Sequence, residues 1–235
     1  LLECRKSDYW QSELDTNEVD AGSGDVFSEL EKLPVLTKEE VKANRDDILV
    51  ADAGDLLEIQ TSGTTGDGLQ FWQTKVALRK QWATWWRYWD WHGVDHNQWM
   101  GYFGSSPIVP YDQSEPPYWR INYPQKRIMF STFHLTEGAV DEYIRRIEES
   151  GLTWLHGYSS ALTLLSNLVL ENGLAPPSSL DIVTVAAENL LDYQRDAIST
   201  AFDVEVRQHY GLSESVANIS ECPKGNLHVD EDFSY

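Results

Sequence analysis

The order of the apolar segments after residue 98 limits most strongly what this chain can fold into. Short apolar runs alternate there with amphipathic stretches, the pattern of strands joined by crossover helices into a sheet with helices packed on it. Gln98 to Phe103 is predicted as a strand. Gly138 to Ser150 sets Val140, Ile144 and Ile147 on one helical face and stops at Gly151. A strand over Leu152 to His156 follows, then the turn Gly157-Tyr158-Ser159-Ser160 and a helix over Ala161 to Glu171 closed by Asn172-Gly173. Leu180 to Ala186 reads as a β-branched strand, Leu190 to Phe202 as a helix and Val204 to Gln208 as another strand. The expected class is α/β, with β-sheets flanked by helices, and ligands in such sheets collect at the carboxyl ends of the strands.

Upstream, Thr37 stands three residues before Glu40, a capping-box spacing that predicts a short helix to about Asp46. No repeat and no Pro- or Ser-rich linker divides the 235 residues, so one main domain over 31–235 is expected behind an acidic segment, 1–30. The formal charge is −20, and residues 1–60 alone hold 16 acidic against 6 basic side chains. A field of that sign repels phosphate at long range, which argues against nucleic-acid partners and requires any phosphate ligand to be held locally. No apolar run approaches the roughly 20 residues of a membrane span, and the charged opening residues are unlike a signal peptide. With only Cys4 and Cys222, no disulfide framework is expected, so a cytoplasmic location without membrane insertion is the reading. The chain lacks a starting Met and is expected to be part of something longer.

The sharpest local signal is Thr61-Ser62-Gly63-Thr64-Thr65-Gly66, followed by Asp67-Gly68, behind the strand-like Leu56 to Ile59. Glycine lets backbone approach a ligand, and successive amides with side-chain hydroxyls make a concave anion site. An ordinary Gly/Ser/Thr turn is the competing reading. The NTPase phosphate loop needs glycine and lysine where Asp67 and Gly68 stand, so that class is disfavoured.

These six residues resemble the glycine-rich nucleotide loop of the adenylate-forming superfamily of acyl-CoA ligases, luciferases and peptide-synthetase adenylation domains. Gln208-His209-Tyr210-Gly211-Leu212-Ser213-Glu214 resembles its second signature. The phenylacetate-CoA ligase and capsular-polysaccharide-biosynthesis branch is the most similar. Residues 33–38, 131–135 and 155–160, with Ala186-Ala187-Glu188, Glu221-Cys222 and His228, carry that likeness. The resemblance implies the N-terminal core of such an enzyme, with the small C-terminal domain absent. It implies ATP-dependent activation of a small carboxylic acid to an acyl-adenylate, then thioester formation with CoA.

Residue by residue, the resemblance implies that Thr61, Ser62, Gly63, Thr64, Thr65 and Gly66 hold the β- and γ-phosphates of ATP. Tyr210 stacks on the adenine of ATP or AMP, against the backbone of Ala186 and Ala187. Glu188, Gln208 and Gly211 complete the nucleotide set. Ser213 contacts the α-phosphate and Glu214 helps hold Mg²⁺, so that Glu214, Ser213 and Thr64 are the residues closest to the chemistry. Gly157, Tyr158 and His134 are acid-site candidates, with structural roles as the competing reading. No lysine follows at Gly68-Leu69-Gln70, where many relatives carry one. This chain alone is therefore expected to bind nucleotide but not to turn over. Two rivals remain: an accessory nucleotide-binding protein of cell-surface polysaccharide biosynthesis, and a phosphotransferase that would release ADP.

Two further features have competing readings. Trp82, Trp85, Trp86 and Trp89 form an aromatic stripe at helical spacing, read as core first and acyl-pocket wall second. Cys222 and His228 are ligand types that Zn²⁺ accepts, but without a paired Cys-x-x-Cys the default is a free cysteine.

Overall fold

The structure, a computed structural model, describes residues 1–50, 56–61 and 68–233, and these group into two units. The first comprises Leu1–Lys80 with Ser213–Ser215, the second Gln81–Leu212 with Val216–Tyr235.

In the first unit three short helices, α1 (Asp8–Thr16), α2 (Val26–Leu30) and α3 (Lys38–Ala43), precede an antiparallel hairpin of β1 (Leu56–Gln60) and β2 (Gln70–Thr74). The capping box forms as the spacing requires. Thr37 Oγ1 accepts from the Glu40 amide at 3.2 Å, and the Glu40 carboxylate accepts from the Thr37 amide at 2.7 Å. The helix closes at Ala43, short of Asp46, because Asn44 leaves helical geometry at φ −120° and turns its side-chain amide back onto Glu40 O.

The second unit is built on an eight-stranded sheet in the order β10-β9-β8-β7-β6-β3-β5-β4. Its strands are β3 (Met100–Phe103), β4 (Trp119–Asn122), β5 (Arg127–Phe130), β6 (Trp154–Gly157), β7 (Ile182–Val185), β8 (Glu205–Gly211), β9 (Asn218–Glu221) and β10 (Leu227–Val229). The inner five, from β5 to β8, pair in parallel, while β4, β9 and β10 add antiparallel edges. Helices α5 (Val140–Glu149), α6 (Ser159–Glu171) and α7 (Asp192–Phe202) are the predicted crossovers. All four residues of β7 are buried, as expected for an apolar run covered on both faces.

The period of two along each strand divides the sheet into unlike faces. Phe103, Phe130, Leu155, Val183 and Val206 meet Tyr143 and Ile147 of α5, Leu162 and Leu165 of α6 and Ile198 of α7 in an aliphatic-rich core. The opposite face presents Met100, Trp154 and Ile182 to the helix α4 (Lys75–Trp91), whose Tyr88 and Trp89 are buried there with Trp82 and Trp85 against them. The core reading of the stripe holds for those residues. Trp86 instead faces outward, 44% exposed, stacked on His96.

One contact sets the spacing of β3 and β6. A Cβ added at Gly157 would lie 2.2 Å from Phe103 O, a backbone atom that cannot yield. Gly157→Ala is expected to cost about 1–3 kcal/mol through overpacking, read as a lower urea midpoint at unchanged m-value. An unchanged midpoint would overturn this account of the packing.

Candidate functional site

In the first unit, antiparallel pairing of β1 with β2 sets Gln60 opposite Gln70. Thr61 and Leu69 are joined twice beyond that pair: Thr61 N donates to Leu69 O at 2.9 Å, and Leu69 N donates to Thr61 Oγ1 at 2.8 Å. Gly68 is needed at this point, since a Cβ there would fall 2.0 Å from Thr61 O. Ser62, Gly63, Thr64, Thr65 and Gly66 themselves lie outside the described residues. Ser213–Ser215 join the same unit, with Ser215 buried at φ 54° and hydrogen-bonded to Gln73 of β2. Ser213 is exposed and Glu214 half-buried. Their hydroxyl and carboxylate are hard oxygen donors of the kind Mg²⁺ takes, so the residue types fit that ion.

In the second unit the parallel strands deliver the remaining predicted residues to their carboxyl ends. β6 ends at Gly157 with Tyr158 as the cap of α6, and Tyr158 OH lies 3.1 Å from Ser105 Oγ, just past β3. β7 runs into Ala186, Ala187 and Glu188. Ala187 has φ 68°, a left-handed conformation that costs a non-glycine residue about 1 kcal/mol or more and that concentrates at functional sites. Glu188 accepts from Ser160 N at 2.9 Å and Ser159 Oγ at 3.2 Å, so its carboxylate caps α6 and holds the β6 and β7 ends together. β8 is longer than the sequence reading of Val204 to Gln208. It continues through His209 and Tyr210 to Gly211, so the second signature begins inside a strand, with Tyr210 at 48% exposure.

Two buried carboxylates fix the antiparallel edge, Glu221 tying β9 to β8 and Asp230 tying β9 to α4. Glu221, at the end of β9 and 2% exposed, accepts from Gln208 N at 3.0 Å and pairs with Arg195 of α7 at 3.0 Å and Arg207 at 3.5 Å. Asp230, 4% exposed, accepts from Asn218 Nδ2 at 2.5 Å and Ser220 Oγ at 2.8 Å, and pairs with Arg87 of α4 at 2.6 Å. Sequence reasoning attached Glu221 only to a resemblance and missed Asp230. Their partners lie 10 to 143 positions away, beyond any local pattern.

The α4-facing side of β6 and β8 carries His156 and His209 with rings stacked at 6.0 Å and 5°. Burial pushes the His156 imidazole down to about 3 and that of His209 to about 4, so both are neutral near pH 7. Thr184 is fully buried. Its Oγ1 accepts from Trp154 Nε1 at 2.8 Å and lies 2.8 Å from His156 Nδ1.

His134 follows β5, with Nδ1 2.8 Å from Ser131 Oγ and Tyr118 stacked on its ring at 5.0 Å. Its Nε2 is buried without a partner among the described residues. Cys222 and His228 do come together. Partial burial acts to raise the thiol, and the amides of Asn226 and Lys224 with the His228 ring outweigh it, holding the thiol below its ordinary value. No third ligand joins them among the described residues, where no group of three metal-binding side chains occurs. No described helix is long and apolar enough to cross a membrane.

No protein-family model matches the chain. Protein CapK of Staphylococcus aureus is 26% identical over 226 residues, which are 96% of this chain and 50% of that protein. The structure of 2-hydroxyisobutyryl-CoA ligase with 2-HIB-AMP and CoA in the thioesterification state superposes at TM-score 0.69 and 12% identity, covering 96% of this chain and 50% of that one. The same ligase in an open conformation gives 0.65 at 11% identity, covering 94% and 54%. The chain therefore spans about half the length of the curated relative it matches. The fold that the resemblance implied is borne out: it is the fold found in about half of a solved acyl-CoA ligase chain.

Proposed function

We propose that this chain forms the nucleotide-binding core of a ligase that activates a carboxylic acid as its acyl-adenylate and passes the acyl group to CoA. The observation that carries the reading is the gathering of Gly157, Tyr158, the left-handed Ala187 and Tyr210 at the carboxyl ends of adjacent strands of a parallel sheet. The exposed Tyr210 ring offers adenine a stacking face, and hydroxyl and amide donors near Thr61 and Ser213 suit phosphate oxygens without a basic patch. ATP supplies the adenylyl group and the pyrophosphate leaving group. The protein's part is to position the carboxylate in line and to neutralise charge, for which Glu214 would hold Mg²⁺. Zn²⁺ has no role in this proposal.

The reading is tested by the melting temperature with Mg-ATP or AMP, since a ligand bound only by the native state raises stability by about 2.7 kcal/mol at a hundredfold excess over Kd. Both nucleotides are expected to raise the melting temperature, Tyr210→Ala to abolish both shifts, and Glu214→Ala to weaken only that of Mg-ATP. No shift at millimolar nucleotide would overturn the assignment. Nucleotide binding without carboxylate-dependent pyrophosphate exchange in a longer chain would favour the accessory-protein alternative, which the absence of lysine at Gly68-Leu69-Gln70 supports.

A further inference from the structure

The second unit holds a cavity of about 140 Å³, room for several waters, at the end of the parallel strands away from Gly157, Ala187 and Tyr210. Three of its lining residues stand where strands begin: Thr153 and Asp181 immediately precede β6 and β7, and Glu205 opens β8. His92, just past α4, and Gln98, ahead of β3, line it too. Val94 and Ile182, both buried hydrophobic residues, add apolar surface.

The polar groups of this lining are mostly acceptors. The Asp181 carboxylate has no hydrogen bond or ion pair among the described residues, and Glu205 gives one oxygen to Arg207 at 2.7 Å and keeps the other. His92 Nε2 lies 2.8 Å from Glu221 O, and since a carbonyl oxygen only accepts, the ring proton sits on Nε2 and Nδ1 is left to accept. Burial favours that neutral ring. Gln98 is engaged at both ends, donating from Nε2 to Thr153 Oγ1 at 3.2 Å and accepting from the Asp95 amide at 3.3 Å.

Carboxylates alone would attract any cation to a chain of charge −20. A walled cavity with acceptors and apolar surface is more selective: it suits a cation that donates hydrogen bonds and carries a short carbon chain. A metal ion is a poorer match, because the described residues hold no group of three His, Cys, Asp or Glu side chains that could share one. We infer that this cavity binds a small aliphatic ammonium ion, its N–H groups on the Asp181 carboxylate and the acceptors around it and its carbons on Val94 and Ile182. The inference is independent of the ligase reading.

The test is a titration of the isotope-labelled chain at neutral pH, followed through backbone amide shifts by nuclear magnetic resonance. Three probes are compared: n-propylammonium, n-propanol, which matches its size without the charge, and tetramethylammonium, which keeps the charge without N–H donors. Saturating shifts of the Thr153, Asp181 and Ile182 amides are expected, with n-propylammonium bound about tenfold or more tightly than either control, the worth of one charge-assisted hydrogen bond. Asp181→Asn should lose about that factor and Glu205→Gln less, because Arg207 already shares Glu205. Asp112→Asn, which removes an exposed charge from the β3–β4 loop, should change nothing. Circular dichroism of each variant confirms that it is folded. Equal affinity for the three probes, binding that survives Asp181→Asn, or shifts spread over the acidic surface without the cavity amides would overturn the inference. So would Mg²⁺ that displaces n-propylammonium at a lower concentration, since the cavity would then be a metal site.

Discussion

Glu221→Ala is expected to lower folding stability by about 3–5 kcal/mol, the range for removing one partner of a buried ion pair. The cause is what remains: Arg195 and Arg207 lose their shared anion, and the Gln208 amide loses its acceptor inside a sheet that excludes water. Glu221→Gln keeps an acceptor for that amide and should recover part of the loss. Urea unfolding followed by far-ultraviolet circular dichroism measures both. An alanine variant within 1 kcal/mol of the parent would mean that the pairs are as weak as exposed ones. Tyr210 and Gln208 share β8, so the same substitution should also weaken nucleotide binding, and the glutamine variant should restore it.

Stability is also expected to fall steeply between pH 6.5 and 4.5. His156 and His209 titrate at about 3 and about 4 in the folded chain, against an ordinary value of 6.5. In that window the unfolded chain binds the extra protons, so each histidine's contribution is fully present above pH 6.5 and is lost as the pH falls. The slope is about 1.4 kcal/mol per pH unit for each. His92, also pushed down by burial, adds in the same direction. Carboxylates held low, such as Asp232 beside Arg87, lose their contribution only at more acid pH, which separates the two effects. Urea midpoints between pH 7.5 and 4.5 should decline in the parent and flatten in His156→Gln/His209→Gln, and a flat parent profile would place both rings in contact with water.

The parts of this fold legible in the sequence are those held by local rules. The helices α5, α6 and α7 and the parallel strands between them follow from apolar periodicity and from Gly151 and Gly173, which supply positive φ at the helix ends. The capping box at Thr37 was equally plain. The edge strands were not. β9 reads Asn218-Ile219-Ser220-Glu221, a polar run that becomes a buried strand only because Arg195, Arg207 and Asp230 arrive from elsewhere to satisfy it. The β4–β5 hairpin begins after Pro116-Pro117, and the alternation of Trp119-Arg120-Ile121-Asn122 is only four residues long, too short to announce a strand. At the candidate site, the two signatures name residues but carry no conformations. Neither the left-handed Ala187, nor the Glu188 cap on α6, nor the stack of His156 on His209 has a sequence pattern, since each depends on a neighbouring strand.

The division of the sheet into an aliphatic and an aromatic face has an optical consequence. Trp82, Trp85, Trp89 and Trp154 gather on one face, with Trp82 and Trp85 at 4.9 Å and Trp89 and Trp154 at 4.9 Å, close enough to share excitation energy. The opposite face is centred on phenylalanine, tyrosine and aliphatic side chains. Intrinsic emission from the second unit is thus weighted towards the α4-facing side, the side of His156 and His209. The chain carries its own fluorophore array beside the two buried imidazoles, with Trp85 5.6 Å from His209 and Trp89 6.2 Å from His156, so that protonation of those rings can be followed without a label.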